Sequence, residues 1–82
     1  MKEFIVTVEN AQDSIAYPQH RVHVRALDGA RALVIGFAWT CGVGQDRTVI
    51  AAETFSGTQT GGIDAVNTYL APIVGAHWRI AQ

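Results

Sequence analysis

Residues 20–42 read HRVHVRALDGARALVIGFAWTCG, and this stretch decides the fold of the 82-residue chain. From Arg21 to Ala26, cationic and apolar side chains alternate. This alternation predicts a strand over residues 20–26 with one face on a core and the other in water. The inward side chains are Val22, Val24 and Ala26, and the outward ones are Arg21, His23 and Arg25.

The segment after this strand fits two structures. In the first, Asp28 caps a helix that runs from about Gly29 to Cys41, and Gly42 ends it. In the second, Asp28 and Gly29 form a two-residue hairpin turn. The strand after that turn would have an apolar face of Leu33, Ile35, Phe37 and Trp39. We favour the helix, because the small residues at positions 30, 38 and 42 suit a helix packed closely on a sheet; the hairpin stays open as the alternative.

Three further strands are predicted. Residues 4–9 (FIVTVE) alternate and form the first strand of the chain. Residues 47–55 (RTVIAAETF) form another, although the pattern does not determine which of its faces points inward. The last strand covers residues 76–80, with Trp78 and Ile80 inward and His77 and Arg79 outward.

A second helix is predicted where Ile63, Val66 and Leu70 recur at helical spacing, and Pro72 should end it or start a new turn. The flexible stretch SGTQTGG precedes this helix over residues 56–62, and a polar connection covers residues 10–18. The element order is then β-β-α-β-α-β. We expect an α+β domain over residues 1–82, with a mostly antiparallel sheet of about four strands and two helices on one face. The hairpin alternative gives a five-stranded sheet with one helix.

Composition limits the class of protein. The formal net charge is −1, and charged residues make up 16% of the chain, against about 25% in typical domains. The surface is therefore unusually apolar, or a partner covers part of it. The chain has one cysteine, no secretory signal and no apolar run near the roughly 20 residues that cross a bilayer. We expect a cytoplasmic protein with no membrane partner.

Catalytic and metal-binding patterns are missing from the sequence. Cys41 has no signature of a thiol nucleophile around it, and a buried, inert cysteine is the simpler interpretation. His20 and His23 lie three apart on a strand, so they point to opposite faces and cannot easily bind one metal ion. The glycine pairs lack the context of a phosphate-binding loop. We therefore expect no enzyme, no metal and no cofactor.

Two groups of side chains are not explained by the fold. Arg21, His23 and Arg25 form a cationic stripe, which Arg79 extends if the last strand joins the same sheet. Ile35 and Trp39 lie on the outer side of the predicted first helix, which has few polar residues and so needs cover on both sides. These six residues are the predicted partner-binding residues.

Residues 21–42 followed by RTVIAAETF resemble a pattern in very small proteins of phages and other mobile elements, including some anti-CRISPR inhibitors. The shared features are the strand at 21–26, the acid Asp28, the helix alanines, the glycine Gly42 and a strand ending near Thr54. The resemblance implies a non-enzymatic protein that blocks a host complex by occupying its surface.

The predicted function is that of a small binding protein that inhibits or modulates a host protein or ribonucleoprotein complex. A self-associating assembly module, such as a homodimer held through Ile35 and Trp39, is one alternative. A nucleic-acid-binding protein that uses Arg21, Arg25 and Arg79 is another. Direct nucleic-acid binding is less favoured, because the basic strand face offers no aromatic side chains for base stacking.

Overall fold

The computed structural model describes residues 1–10, 19–55, 62–75 and 77–81, which form three strands and three helices. In chain order these are β1 (Lys2–Asn10), β2 (Gln19–Ala26), α1 (Gly29–Thr40), α2 (Gln45–Thr54), α3 (Gly62–Val74) and β3 (Trp78–Ile80). The sheet is antiparallel with the order β2-β1-β3, so β1 is central. The α+β class and the antiparallel sheet are confirmed, whereas the predicted counts of four strands and two helices, or five strands and one helix, are wrong.

The predicted alternation in β2 is confirmed. Val24 and Ala26 are buried, while the side chains of Arg21, His23 and Arg25 are exposed on the open face of the sheet. Val24 pairs with Phe4 and Val22 with Val6, so the apolar side chains of β1 and β2 share one face. That face is the one the helices cover.

Local signals at both ends make α1 a helix rather than a hairpin strand. Asp28 has an extended backbone, and its carboxylate accepts a 2.8 Å hydrogen bond from the backbone N–H of Arg31. At the other end, Gly42 takes a φ of 74°, which a residue with a side chain rarely adopts. The N–H groups of Gly42 and Val43 then donate to the carbonyls of Trp39 and Ala38. This Schellman motif ends the helix, so the hairpin alternative is wrong.

The segment predicted as a strand over residues 47–55 is instead helix α2. Its buried side chains are Thr48, Ala51 and Ala52, followed by Phe55 just past its end, which is helical spacing. Thr48 fills a core position because its hydroxyl donates to the Gly44 carbonyl at 2.7 Å. The β-branched pair that suggested a strand, Val49 and Ile50, lies on the exposed side.

Helix α3 continues past Pro72 to Val74, so the prediction that this proline ends it is wrong. The proline lies in the last turn, where its missing N–H costs at most one helical hydrogen bond. Gly75, with a φ of 96°, ends the helix instead. The predicted connection over residues 10–18, the flexible stretch over 56–62 and Ala76 of the last predicted strand lie outside the described residues, apart from Asn10 and Gly62.

Each of the three helices packs in a different way. Helix α1 lies across the inner face of the sheet and buries Phe37 completely, while α3 packs beside it against β3 and buries Leu70. Helix α2 packs on α1, and none of its Cα atoms lies within 8 Å of a Cα atom of the described strands. A gap therefore separates α2 from β2. In the described part of the chain, no helix is both long enough and apolar enough to cross a membrane.

Candidate functional site

The gap between α2 and β2 is a groove of about 570 Å³. Helix α1 forms one wall through Arg31, Ile35 and Trp39, which follow each other at four-residue spacing on the same side. Helix α2 forms the opposite wall, with Thr48, Val49 and Ala52 among its contributions. Residues 22–27 line the third side, and Gly36 of α1 also lines the groove.

Apolar side chains give the groove its character. Among the described residues, six large apolar side chains are strongly exposed, and four of them line this groove: Met1, Leu27, Trp39 and Val49. Trp39 exposes 55% of its surface and Val49 47%. The other two are Ile50, on a different side of α2, and Ile5, on the open face of the sheet. Clustering of exposed apolar groups in one concave site is typical of a recognition surface.

Charged groups lie at the margin of the groove. His23 and Arg25 line it from β2, and Glu53 lines it from α2. Arg31 is already paired with Asp28, and the hydrogen bond from the Arg31 backbone N–H, together with the nearby guanidinium, holds the pKa of the Asp28 carboxyl below its usual value. Arg31 is therefore less available to a ligand than Arg25.

The structure brings together most of the residues predicted to bind a partner. His23, Arg25, Ile35 and Trp39 line the same groove, and Arg21 lies on β2 immediately beyond it. The cationic stripe, on the open face of the sheet, and the outer side of α1, on the face that the helices cover, thus flank the same edge of β2. They meet because α1 crosses the sheet with its Ile35–Trp39 side toward the edge formed by β2.

Arg79 lies apart from this surface. It is on β3, across the central strand from β2, and its side chain bonds to the carboxylate of Glu9. Hydrogen bonds from Gln19 and Arg79 hold the pKa of Glu9 below its usual value, so this carboxylate stays charged and compensates the arginine. His77, which the sequence placed on the outward side of the last strand, instead precedes β3 in a turn and is half-buried.

The open face of the sheet is less basic than the sequence suggested. Glu3 is opposite Arg25, and Glu9 is opposite both Gln19 and Arg79. The three arginines on this face are accompanied by two glutamates, which leaves little net charge to attract a phosphate backbone. This arrangement weakens the argument for nucleic-acid binding.

A second cavity, of about 410 Å³, lies at the other side of the molecule. Its polar side chains include Glu9, Asn67 and Arg79. Glu9 and Arg79 bond to each other, and Asn67 accepts a hydrogen bond from the backbone N–H of Ile80. These groups serve the fold, so the cavity is a weaker candidate for a binding site.

Of the four strongly exposed apolar residues that line the groove, three were not predicted from the sequence. Met1 and Leu27 flank predicted strands and carried no pattern, so nothing in the sequence pointed to them. Val49 was assigned to a strand whose facing was undetermined. The inward spacing of Thr48, Ala51 and Phe55 was the signal that would have placed Val49 on the surface of a helix.

Cys41 is the C-cap of α1 and is half-buried against the core. Burial raises the pKa of its thiol to about 12, so almost none of it is the reactive thiolate at neutral pH. Within the ranges that the structure describes, no three His, Cys, Asp or Glu side chains are grouped so that they could hold a metal ion.

No protein-family model matches the chain, and neither a curated protein nor a solved structure gives a match.

Proposed function

We propose that the chain is a non-enzymatic binding protein that docks on a host protein or ribonucleoprotein complex through the groove and thereby inhibits or modulates that complex. One observation carries this proposal. Four strongly exposed apolar side chains from separate parts of the chain converge in one groove beside His23 and Arg25. A small domain that keeps such a patch in water needs a partner to cover it.

The residue types and their rigidity also support a protein partner. Trp and Arg are enriched among the residues that dominate binding energy in protein interfaces. Trp39 is held on a helix whose end is fixed by the Schellman motif, and Ile35 lies one turn before it. Because these side chains are already positioned, a partner loses little affinity to ordering them.

The resemblance of residues 21–42 to small phage inhibitor proteins supports a host complex as the target and the host cytoplasm as the location. Blocking by occupation requires no chemistry from the inhibitor. It requires only that the covered surface of the complex be one that its substrate or another subunit needs.

Site-specific photo-crosslinking tests the proposal directly. The photoreactive amino acid p-benzoylphenylalanine is placed at Val49 in one variant and at Ile50 in a matched control. The two positions are neighbours on α2 and similarly exposed, 47% and 58%, but only Val49 lines the groove. Irradiation in bacterial cells should give a discrete adduct from position 49 and none from position 50. The adduct should disappear when Trp39→Ser is added.

A functional assay completes this test. The captured complex, once purified, should lose activity when the wild-type chain is added and keep it when the Trp39→Ser chain is added. Equal adducts from both positions, or inhibition that Trp39→Ser leaves unchanged, would remove the groove from the proposal.

Self-association through Ile35 and Trp39 is the second candidate, and the 55% exposure of Trp39 favours it. Two copies that cover each other's grooves would form a dimer with an apolar interface. Light scattering over a wide concentration range decides: a strict monomer at high concentration removes this candidate, and a dimer that Trp39→Ser dissociates supports it.

A further inference from the structure

The outer edge of β2 is open along the groove. β2 lies at one side of the sheet, and no strand within the described ranges pairs with its outer edge. All the consecutive residues from 22 to 27 line the groove, although successive side chains of a strand point to opposite faces. A continuous run of this kind means that the backbone edge borders the groove. The N–H and C=O groups that an antiparallel edge strand points outward at alternate residues therefore face it.

The opposite edge of the sheet differs from this one. β3 has only three residues, and the side chain of Asn67 accepts the hydrogen bond of the Ile80 N–H at 2.8 Å. β2 has eight residues, which is enough for a full strand to pair with it. A further strand can therefore pair with the edge of β2, whereas the edge of β3 is too short and partly occupied by Asn67.

We infer that an extended segment of the partner protein pairs with the edge of β2 as a fourth strand, and that its side chains alternate between apolar and acidic. This inference rests on the proposed function and names the chemistry of the partner. An added strand lies about 4.8 Å from its neighbour, which places it in the space between β2 and α2. Main-chain hydrogen bonds supply affinity in this mode of binding, and pockets for alternate side chains supply specificity.

The groove determines the apolar half of the pattern. The inward side chains of an added strand continue the face formed by Val22 and Val24, so they point toward the helices. There they meet Ile35 and Trp39 from α1 and Val49 from α2. Apolar side chains at every second position of the partner cover these exposed groups.

The cationic stripe determines the acidic half. The outward side chains of an added strand lie beside Arg21, His23 and Arg25, at the short distances typical of cross-strand neighbours. Among the described residues, the ion pairs are Asp28 with Arg31 and Glu9 with Arg79. Arg21 is opposite Thr7 of β1, and Arg25 is opposite Glu3 without forming an ion pair with it. Asp or Glu side chains on the partner strand complement these charges.

The same charges disfavour a second copy of this chain as the occupant. Two copies of β2 paired about a two-fold axis are antiparallel, and their outward side chains face each other. Every such register that pairs four or more residues puts an arginine opposite an arginine or a histidine. Arginine directly opposite arginine destabilises a strand pair, and arginine opposite histidine supplies no attractive charge pair in its place.

Peptide binding and amide exchange test the inference together. The probe is a fluorescent peptide of about eight residues in which Asp or Glu alternates with Val or Leu. One control peptide has Lys in place of the acids, and another has the same composition with acidic and apolar residues in two separate blocks. The alternating peptide should bind, and both controls should bind at least about tenfold more weakly.

Variants of the chain locate the contact. The double substitution Arg21→Gln and Arg25→Gln should weaken binding of the alternating peptide by roughly tenfold. Arg47→Gln is the matched control, because Arg47 is exposed on α2 and does not line the groove. On binding, amide hydrogens at alternate residues of β2 should become protected from exchange, since those N–H groups gain a hydrogen bond.

The results distinguish which kind of ligand occupies the groove. If the peptide binds without protecting the amide hydrogens of β2 from exchange, the groove binds a helix or another shape. If the chain forms a dimer that the peptide cannot dissociate, a second copy occupies the groove. Either result overturns the inference. Equal binding of the alternating and block peptides overturns it as well. If position 49 still cross-links to a protein while the alternating peptide fails to bind, only the strand-pairing inference falls. If cross-linking at position 49 fails, the proposed function itself falls.

Discussion

Gly36 of α1 lies directly on Val6 of β1: a Cβ atom at position 36 would stand 2.7 Å from the Cβ of Val6. Side chains do not approach each other so closely, so glycine is what lets the helix come this near to the central strand. The close approach centres α1 on the sheet, and its Ile35–Trp39 side is left to form the wall of the groove.

Replacing Gly36 by alanine should therefore destabilise the fold, although alanine is the better helix former. Overpacking against Val6 should lower the free energy of unfolding by about 1–3 kcal/mol. Urea denaturation measures this. Gly29→Ala is the matched control, because a Cβ there meets its nearest atom, Cε1 of Phe4, at an ordinary 3.7 Å. Equal losses in the two variants would contradict the close contact at Gly36.

Two aromatic residues of α1 should differ sharply in their contribution to stability. Phe37 is completely buried, so Phe37→Ala should cost about 3–5 kcal/mol, a large part of the stability of so small a domain. Trp39 exposes 55% of its surface, so Trp39→Ala should cost less than half as much. Chemical denaturation followed by circular dichroism measures both. A Trp39 variant as unstable as the Phe37 variant would mean that Trp39 is a core residue.

The hydroxyl of Tyr69 attaches α3 to the end of α2. It donates to the Ala51 carbonyl at 3.1 Å and lies 2.5 Å from the hydroxyl of Thr54. Tyr69→Phe keeps the ring contact with Phe55 but removes these bonds, which should cost about 1 kcal/mol. Amide exchange should also speed up in α2. In a double-mutant cycle with Thr54→Val, the two effects should not add, and strict additivity would argue against the contact.

Asp28 should make stability depend on pH. Its pKa in the folded chain lies below the usual 3.8, because the Arg31 N–H and guanidinium favour the carboxylate. This contribution is complete above 3.8 and is lost as the pH falls through the lower, folded value. Asp28→Asn keeps an oxygen that can accept the capping bond but has no charge. The wild-type chain should have a higher Tm than the Asp28→Asn variant at neutral pH, and the difference should disappear in acid. A difference in Tm that stays constant with pH would contradict the low pKa of Asp28.

Cys41 should react slowly with thiol reagents. Because burial raises its pKa to about 12, the folded chain holds roughly a thousandfold less thiolate than a free thiol at the same pH. Alkylation by iodoacetamide at mildly alkaline pH should therefore be far slower in buffer than in urea. Fast alkylation of the folded chain would show that the thiol is accessible and ionised.

Local signals in the sequence were sufficient to predict strand β2 and helix α1. The alternation from Arg21 to Ala26 predicted β2, and Asp28 and Gly42 predicted both ends of α1. Each signal acts within a few residues, through a capping bond or a backbone angle, so tertiary contacts did not have to be known. The register of β1 with β2 was not predicted, although in it the apolar faces of the two strands match.

Helix α2 could not be predicted in the same way. Val49 and Ile50 favour a strand, and the buried face includes a polar residue, Thr48. Thr48 is accepted in the core only because its hydroxyl bonds to the Gly44 carbonyl within a turn that already exists. The preference of Val49 and Ile50 for a strand was therefore outweighed by the packing of α2, with its buried Ala51 and Ala52, on α1. A local sequence pattern does not predict this packing.

The sequence by itself determined two groups of side chains that point away from the centre of the predicted core: the Arg21–Arg25 stripe and the Ile35–Trp39 side of α1. It determined them because the period of a strand or helix assigns each side chain to a face. Only the tertiary structure decided that His23 and Arg25 line the same groove as Ile35 and Trp39, that Val49 joins them and that Arg79 is paired elsewhere with Glu9. The position of α1 on the sheet and the distance between α2 and β2 depend on long-range contacts, such as that of Gly36 with Val6. The periodicity of a sequence does not predict such contacts.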